Sequence, residues 1–282
     1  MQLSKYNASG NDFVVFHSLA RADRSDLARA LCDRFEGLGA DGLIVLVPDE
    51  QNDFAWEFYN SDGSLANMCG NGSRAAFMYA FEHGFCGSRG SFLSGAGVIK
   101  GGVEDYAISN LTSQASQARP CDEARTEFAG LRAGERFSLK TALVEVALTN
   151  PKKLAEPFSE EGFEWRFFDT GVPHLVAFVD ELSAFDLALC AKMRAKYDAN
   201  VNFAKKTGAN KLAVRTFERG VEGETLACGT GMAACFYAAR EAFGVGERAT
   251  LNPKSGEDLF LRFDGEKIHF KGRVRHTFDA VI

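Results

Sequence analysis

Apolar and polar positions alternate from the start of the chain. Leu3-Ser4-Lys5-Tyr6 reads as a short strand, Asn7 to Asp12 as a polar turn, and Phe13 to Phe16 as a returning strand. Helical spacing of Leu27, Ala30 and Leu31 predicts a helix over 25–35 that ends at Gly37. Leu43 to Val47 and Phe54 to Tyr59 are two further strands, the second alternating around Glu57. A turn-rich loop, Asn60-Ser61-Asp62-Gly63-Ser64, leads to a helix from about Ser73 to His83, with Gly84 as its C-cap. The second half gives the same order: a strand over Leu212–Phe217, a loop from Glu218 to Gly223, and a helix after Cys228 that stops at Gly244. Leu259–Phe263 and Lys267–Phe270 flank Asp264-Gly265, a hairpin signal. Both main helices are apolar nearly all round, as Ala75 to Phe81 and Met232 to Ala238 show, and a helix with no polar face is a buried one.

The two halves share more than element order. Met68-Cys69-Gly70-Asn71-Gly72 recurs 159 residues later as Ala227-Cys228-Gly229-Thr230-Gly231. Alone, either copy fits a packed cysteine or a tight turn before a helix. Packing gives no reason for the same cysteine offset in both halves beyond shared ancestry. A thiol at a helix start is expected to lean toward thiolate, because unpaired N–H groups and the macrodipole favour the anion. Two such thiols suggest two acid–base groups on opposite faces of one substrate carbon. The glycines expose N–H groups that can hold a carboxylate, and charge flowing onto it as an α-proton leaves would be stabilised there. The expected fold is α+β, with two pseudo-symmetric domains, each a mostly antiparallel curved sheet or barrel around a central helix, and the active site in the cleft between them. Residues 1–112 would form the first domain, joined by a C-terminal strand over 268–282, and residues 113–267 the second. Thr112 to Arg125 is the linker candidate.

Composition narrows the function. The 282 residues are 46% hydrophobic and 25% charged, with a net charge of −6, which argues against a nucleic-acid or anionic-membrane partner. No signal peptide or membrane span is read. The seven cysteines form no C-x-x-C pair and read as reduced cytoplasmic thiols, with neither a disulfide framework nor a metal site. Cys32, Cys86, Cys121, Cys190 and Cys235 lack the helix-start context and read as packing residues. His174 follows the turn Thr170-Gly171-Val172-Pro173. Glu218-Arg219 stands in the loop before the second cysteine, where arginine suits bidentate recognition of a carboxylate.

Gly10-Asn11-Asp12-Phe13, Gly39-Ala40-Asp41-Gly42, Asn60-Ser61-Asp62-Gly63-Ser64, Gly171-Val172-Pro173-His174, Asn200-Val201-Asn202-Phe203 and Glu218-Arg219-Gly220, together with the two cysteine motifs, resemble the diaminopimelate epimerase family almost end to end. The resemblance implies a cofactor-independent, PLP-free epimerase acting on a small amino-acid substrate in lysine and peptidoglycan precursor synthesis, and a homodimer. It implies Cys69 and Cys228 as acid–bases tuned by His174 and Glu218. It further implies Asn11, Asn60, Asn200, Glu218 and Arg219 as substrate contacts, with Gly70, Asn71, Gly229 and Thr230 around the α-carboxylate. The chain departs from the common pattern at Gly42, where Gln is usual, and at Val172, where Asn is usual. Rival readings are a proline racemase-like or phenazine-type isomerase, and a thiol-nucleophile enzyme with Cys69 attacking and His174 as base. If the two thiols are activated, a Cys69–Cys228 disulfide in the empty site is a further expectation.

Overall fold

The structure of the protein, a computed structural model, describes residues 1–112 and 136–282. A hairpin of β1 (Gln2–Ala8) and β2 (Asn11–His17) opens the chain. Its turn is only Ser9 and Gly10, both with positive φ (60° and 85°), the geometry that matches strand twist in a two-residue hairpin. β2 leads through α1 (Ser25–Cys32) to β3 (Gly42–Val47), and β4 (Phe54–Asn60) leads through α2 (Gly70–Glu82) to β5 (Arg89–Ser94). Each helix joins strands that lie side by side and parallel. β6 (Gly97–Thr112) and β7 (Arg136–Ala147) follow.

The second half contains β8 (Lys152–Glu160), β9 (Phe163–Asp169), β10 (Pro173–Phe178), α3 (Leu187–Tyr197), β11 (Asn200–Gly208), β12 (Lys211–Glu218), β13 (Gly223–Thr225), α4 (Gly229–Phe243) and β14 (Arg248–Asn252). Here too β10–α3–β11 and β12–α4–β14 connect parallel neighbours. The duplication therefore covers two crossovers per half. β15 (Leu259–Phe263) and β16 (Ile268–Val281) end the chain.

Strand pairing runs β1-β2-β3-β4-β5-β6-β7-β16 and closes when β16 pairs back onto β1, giving an eight-stranded barrel around α2. From β16 the same sheet continues through β15, β14, β12, β11, β10 and β9 to β8, around α4. Both edges of β7 are hydrogen-bonded within the first barrel, to β6 and to β16. From residue 113 onward the expected linker, with Cys121, lies outside the described residues.

Three element readings also shift. α1 stops at Cys32, because the Asp33 carboxylate accepts from the backbone N–H groups of Phe35 and Glu36 and bends the chain. α2 begins at Gly70, not Ser73, with Cys69 as its N-cap. β4 does not alternate: Phe54, Trp56 and Phe58 pack in the core that holds α2, while Ala55 and Tyr59 pack under α1. That central core is continuous through α2, Phe270 and α4.

Candidate active site

The two cysteine-capped helix starts meet face to face. A Cβ on Gly229 would lie 3.5 Å from Gly70 Cα and 2.9 Å from Cε1 of Phe270, so glycine is what allows the close approach. Asn71 bridges the join, its Nδ2 donating to the Ala227 carbonyl at 3.2 Å and to Asn11 Oδ1 at 3.4 Å. Cys69 accepts from the Gly72 N–H at 3.3 Å, and its thiol lies 3.8 Å from Asn11 Oδ1. Cys228 lies 3.5 Å from Thr230 Oγ1.

The expected lean toward thiolate is corrected. Burial pushes the Cys69 thiol up to about 11, and the Gly72 N–H only partly offsets this. Cys228 is pushed up further, first by burial and then by the Glu218 carboxylate, against the Thr230 hydroxyl and the Gly231 N–H. Desolvation of a sulfur anion outweighs the helix start. Glu218 is itself raised by burial, with Asp41 adding to the effect.

His174, at the start of β10, is fully buried. Asn202 donates from Nδ2 to His174 Nδ1 at 3.1 Å and to the Leu175 carbonyl at 2.9 Å, while Thr216 donates to Asn202 Oδ1 at 2.9 Å. With Nδ1 accepting, the ring hydrogen sits on Nε2 and is donated to Thr230 Oγ1 at 2.9 Å. Burial first, and Arg219 second, lower this imidazole to about 3, so it is neutral. His174 therefore reaches Cys228 through Thr230. Asn200 donates to the Pro173 carbonyl at 3.1 Å and accepts from the Arg219 N–H at 2.8 Å.

Two expected contacts lie farther out. The Arg219 guanidinium rests on Asp198, 2.8 Å from its carbonyl and 2.9 Å from its carboxylate. Asn60 is exposed and donates to Ser64 Oγ at 3.0 Å. Its neighbour Ser61 bonds the carbonyl of Asp41, whose carboxylate accepts from Asn11 Nδ2 at 2.5 Å. At Gly42 there is no space for a side chain: a Cβ would meet Phe58 and the Tyr59 carbonyl, each at 2.7 Å.

The halves differ in what lies beneath each helix start. Gly72 faces Ile44 and Phe13, whereas Gly231 faces Asn202 and Thr216. Asn202, Thr216 and Arg74 were not singled out from sequence. A lone arginine in an otherwise apolar helix was the available signal for Arg74. Among the described residues, no group of three or more His, Cys, Asp or Glu side chains could hold a metal ion, and no helix is long and apolar enough to cross a membrane.

A barrel around one helix, continued by a sheet around a second, is a fold shared with solved structures of distant sequence. A PhzF-family phenazine biosynthesis protein of Bacillus anthracis superposes with a TM-score of 0.68 at 11% identity, covering 100% of this chain and 99% of that one. A hydroxyproline epimerase of Agrobacterium vitis gives 0.61 at 14% identity, covering 100% and 90%. Sequence is more particular. The family model described as diaminopimelate epimerase matches residues 3–108 and 166–270. Diaminopimelate epimerases of Nitratiruptor sp. and Helicobacter pylori are 47% and 38% identical, covering 99% and 100% of this chain and 98% and 96% of their own lengths. The chain belongs to the diaminopimelate epimerase family and is an isomerase.

Proposed function

We propose that this protein interconverts LL- and meso-2,6-diaminopimelate without a cofactor, in lysine and peptidoglycan precursor synthesis, by passing protons between Cys69, Cys228 and the substrate α-carbon. The observation that carries the reading is the meeting of two cysteine-capped helix starts at Gly70 and Gly229. One thiolate removes the α-proton while the opposite thiol delivers one to the other face, so the pair holds one proton between them. Both thiols are raised in the free protein, so one must ionise as substrate binds. Glu218, close enough to both for its charge to act on them, is the half-buried base available to take up that proton. The N–H groups of Gly70, Asn71, Gly229 and Thr230 would hold the α-carboxylate, with Asn11, Asn60, Asn200, Glu218 and Arg219 on the rest of the substrate. His174 would hold the Thr230 hydroxyl beside Cys228.

The thiol-nucleophile alternative needs an imidazole at Cys69. His174 instead bonds Thr230 and Asn202 on the Cys228 side. The deciding experiment follows solvent deuterium into the α-position of LL-diaminopimelate, L-lysine and L-proline. Incorporation with diaminopimelate alone is expected, and Cys69→Ala and Cys228→Ala should each cut epimerisation by at least about a thousandfold. Exchange with proline instead would make the protein a proline racemase-like enzyme, and substantial activity in either alanine variant would remove that cysteine from the mechanism.

A further inference from the structure

Arg74, in the second turn of α2, is completely buried. Its Nη2 donates to Ser9 Oγ at 3.0 Å and to Asn71 Oδ1 at 2.7 Å, and its Nη1 donates to the Arg273 carbonyl at 3.2 Å. The guanidinium lies 4.5 Å from the centroid of Phe270, and its Nε has no partner. Space for it depends on Gly272, where a Cβ would overlap Nη1. Among the described residues no carboxylate stands within ion-pair distance of it. Burial lowers the group to about 10, so it remains a cation at neutral pH.

A buried cation without a counter-ion is strongly disfavoured unless something else requires it. Packing does not require it, since the matching position of the other half, five residues after Cys228, is Ala233. What Arg74 does touch is the site. By taking Asn71 Oδ1 it turns the Asn71 NH2 toward Ala227 and Asn11, and the Asn11 oxygen lies 3.8 Å from the Cys69 sulfur. We propose that Arg74 is the positioning residue of the Cys69 half: it locks the Asn71 and Asn11 amides, and its unpaired charge is compensated when Cys69 becomes a thiolate. This rests on the two-base reading above. The other charges in play are Glu218 from β12, which opposes the Cys69 anion, and Glu257, whose charge acts on Arg74; Cys228 faces from α4 as a neutral thiol.

The test measures iodoacetamide uptake at Cys69 and Cys228 separately, by peptide mapping of the substrate-free full chain between pH 7 and 10. Arg74→Gln is expected to slow Cys69 at pH 8 by about tenfold, one unit of thiol pKa, and to leave Cys228 within about twofold. Arg74→Lys restores the Cys69 rate to within about threefold, yet kcat/KM stays reduced because one ammonium nitrogen cannot hold Asn71 and Ser9 and also reach the Arg273 carbonyl. Wild-type alkylation of Cys69 in a folded Arg74→Gln protein, or equal slowing of both cysteines, overturns the proposal. If Arg74→Gln does not fold, Ser9→Ala, which removes one anchor of the guanidinium, carries the same comparison. There a selective slowing of Cys69 by about twofold is expected, and its absence is equally decisive against. Alkylation needs no turnover, so failure here is distinct from failure of the wild-type protein to exchange deuterium.

Discussion

A methyl group on Gly229 would sit 2.9 Å from Phe270 and 3.5 Å from Gly70 Cα, so Gly229→Ala has to push the two helix starts apart. Overpacking of this kind costs about 1–3 kcal/mol. The loss of activity should be far larger, because a shift of about 1 Å between the sulfurs and the carbon they share is worth about a hundredfold. Thermal melts beside kcat/KM will show whether activity falls well beyond stability. Arg219→Ala should behave oppositely. Its side chain rests on Asp198 at the rim, so the fold survives, while kcat/KM for diaminopimelate drops by about 2 kcal/mol, roughly thirtyfold, if it reads the distal carboxylate; an unchanged kcat/KM places that role elsewhere. His174 gives a pH signature. Its folded value of about 3 is below the ordinary 6.5, so below pH 6.5 the unfolded chain takes a proton that the folded one refuses. Its contribution is present above 6.5 and fades toward pH 3 at about 1.4 kcal/mol per pH unit. Urea midpoints at pH 6.5, 5.5 and 4.5 should fall in the wild type and flatten in His174→Gln.

At the scale of elements, β16 is tied to the far end of α2 by a polar cluster inside the first barrel. Glu82 accepts from Tyr6 and, at 2.9 Å, from Tyr106, and stands 3.1 Å from His276. Burial opposes the charge on His276, but Glu82 outweighs it and raises the imidazole above 6.5. Burial likewise opposes the Glu82 carboxylate, yet the hydrogen bonds from His276 and Tyr6 hold it below 4.5. The histidine contribution is full below pH 6.5 and lost as pH rises through its raised value; that of the glutamate is full above 4.5 and lost as pH falls through its lowered one. His269, raised by Glu145, has the same sign as His276. Glu82→Gln should cost about 3 kcal/mol near pH 6 and remove much of the decline in stability between pH 6.5 and 8.5; an unaltered decline would assign it to His269.

Elements were legible where local signals and burial agree. The Asp264-Gly265 hairpin and the helix stop at Gly244, with φ of 63°, follow from turn chemistry alone. The start of α2 was misread because Gly70 and Gly72 weaken a helix by propensity, whereas here their small size lets it dock. α3 buries only Cys190 and Met193, amid lysines and arginine, with Leu189 and Tyr197 packing beside them, a pattern too weak to mark a helix. The cysteines, glycines and asparagines of the site were legible through the repeat and the family resemblance. The Asn202–His174 clasp was not, because only the parallel pairing of β10 with β11 brings those side chains together.

For the whole molecule, the sheet passes from the barrel into the second half without interruption. The only two tryptophans divide between them: Trp56 on β4 and Trp165 on β9, both buried. Trp56→Phe and Trp165→Phe each leave one reporter, and their urea transitions should coincide, since opening either half strips β16 from the other. Separate midpoints would mean that the two halves unfold independently. β16 also sets a timetable. Ser4 of β1 meets Asp279 of β16 across 275 positions of chain. On the ribosome, the first strand therefore waits for almost the entire chain before its outer edge is covered, and that edge is a template for pairing with other nascent chains. Such distant pairing folds slowly. Nascent chains stalled before Ile268 should be protease-sensitive in both halves at once.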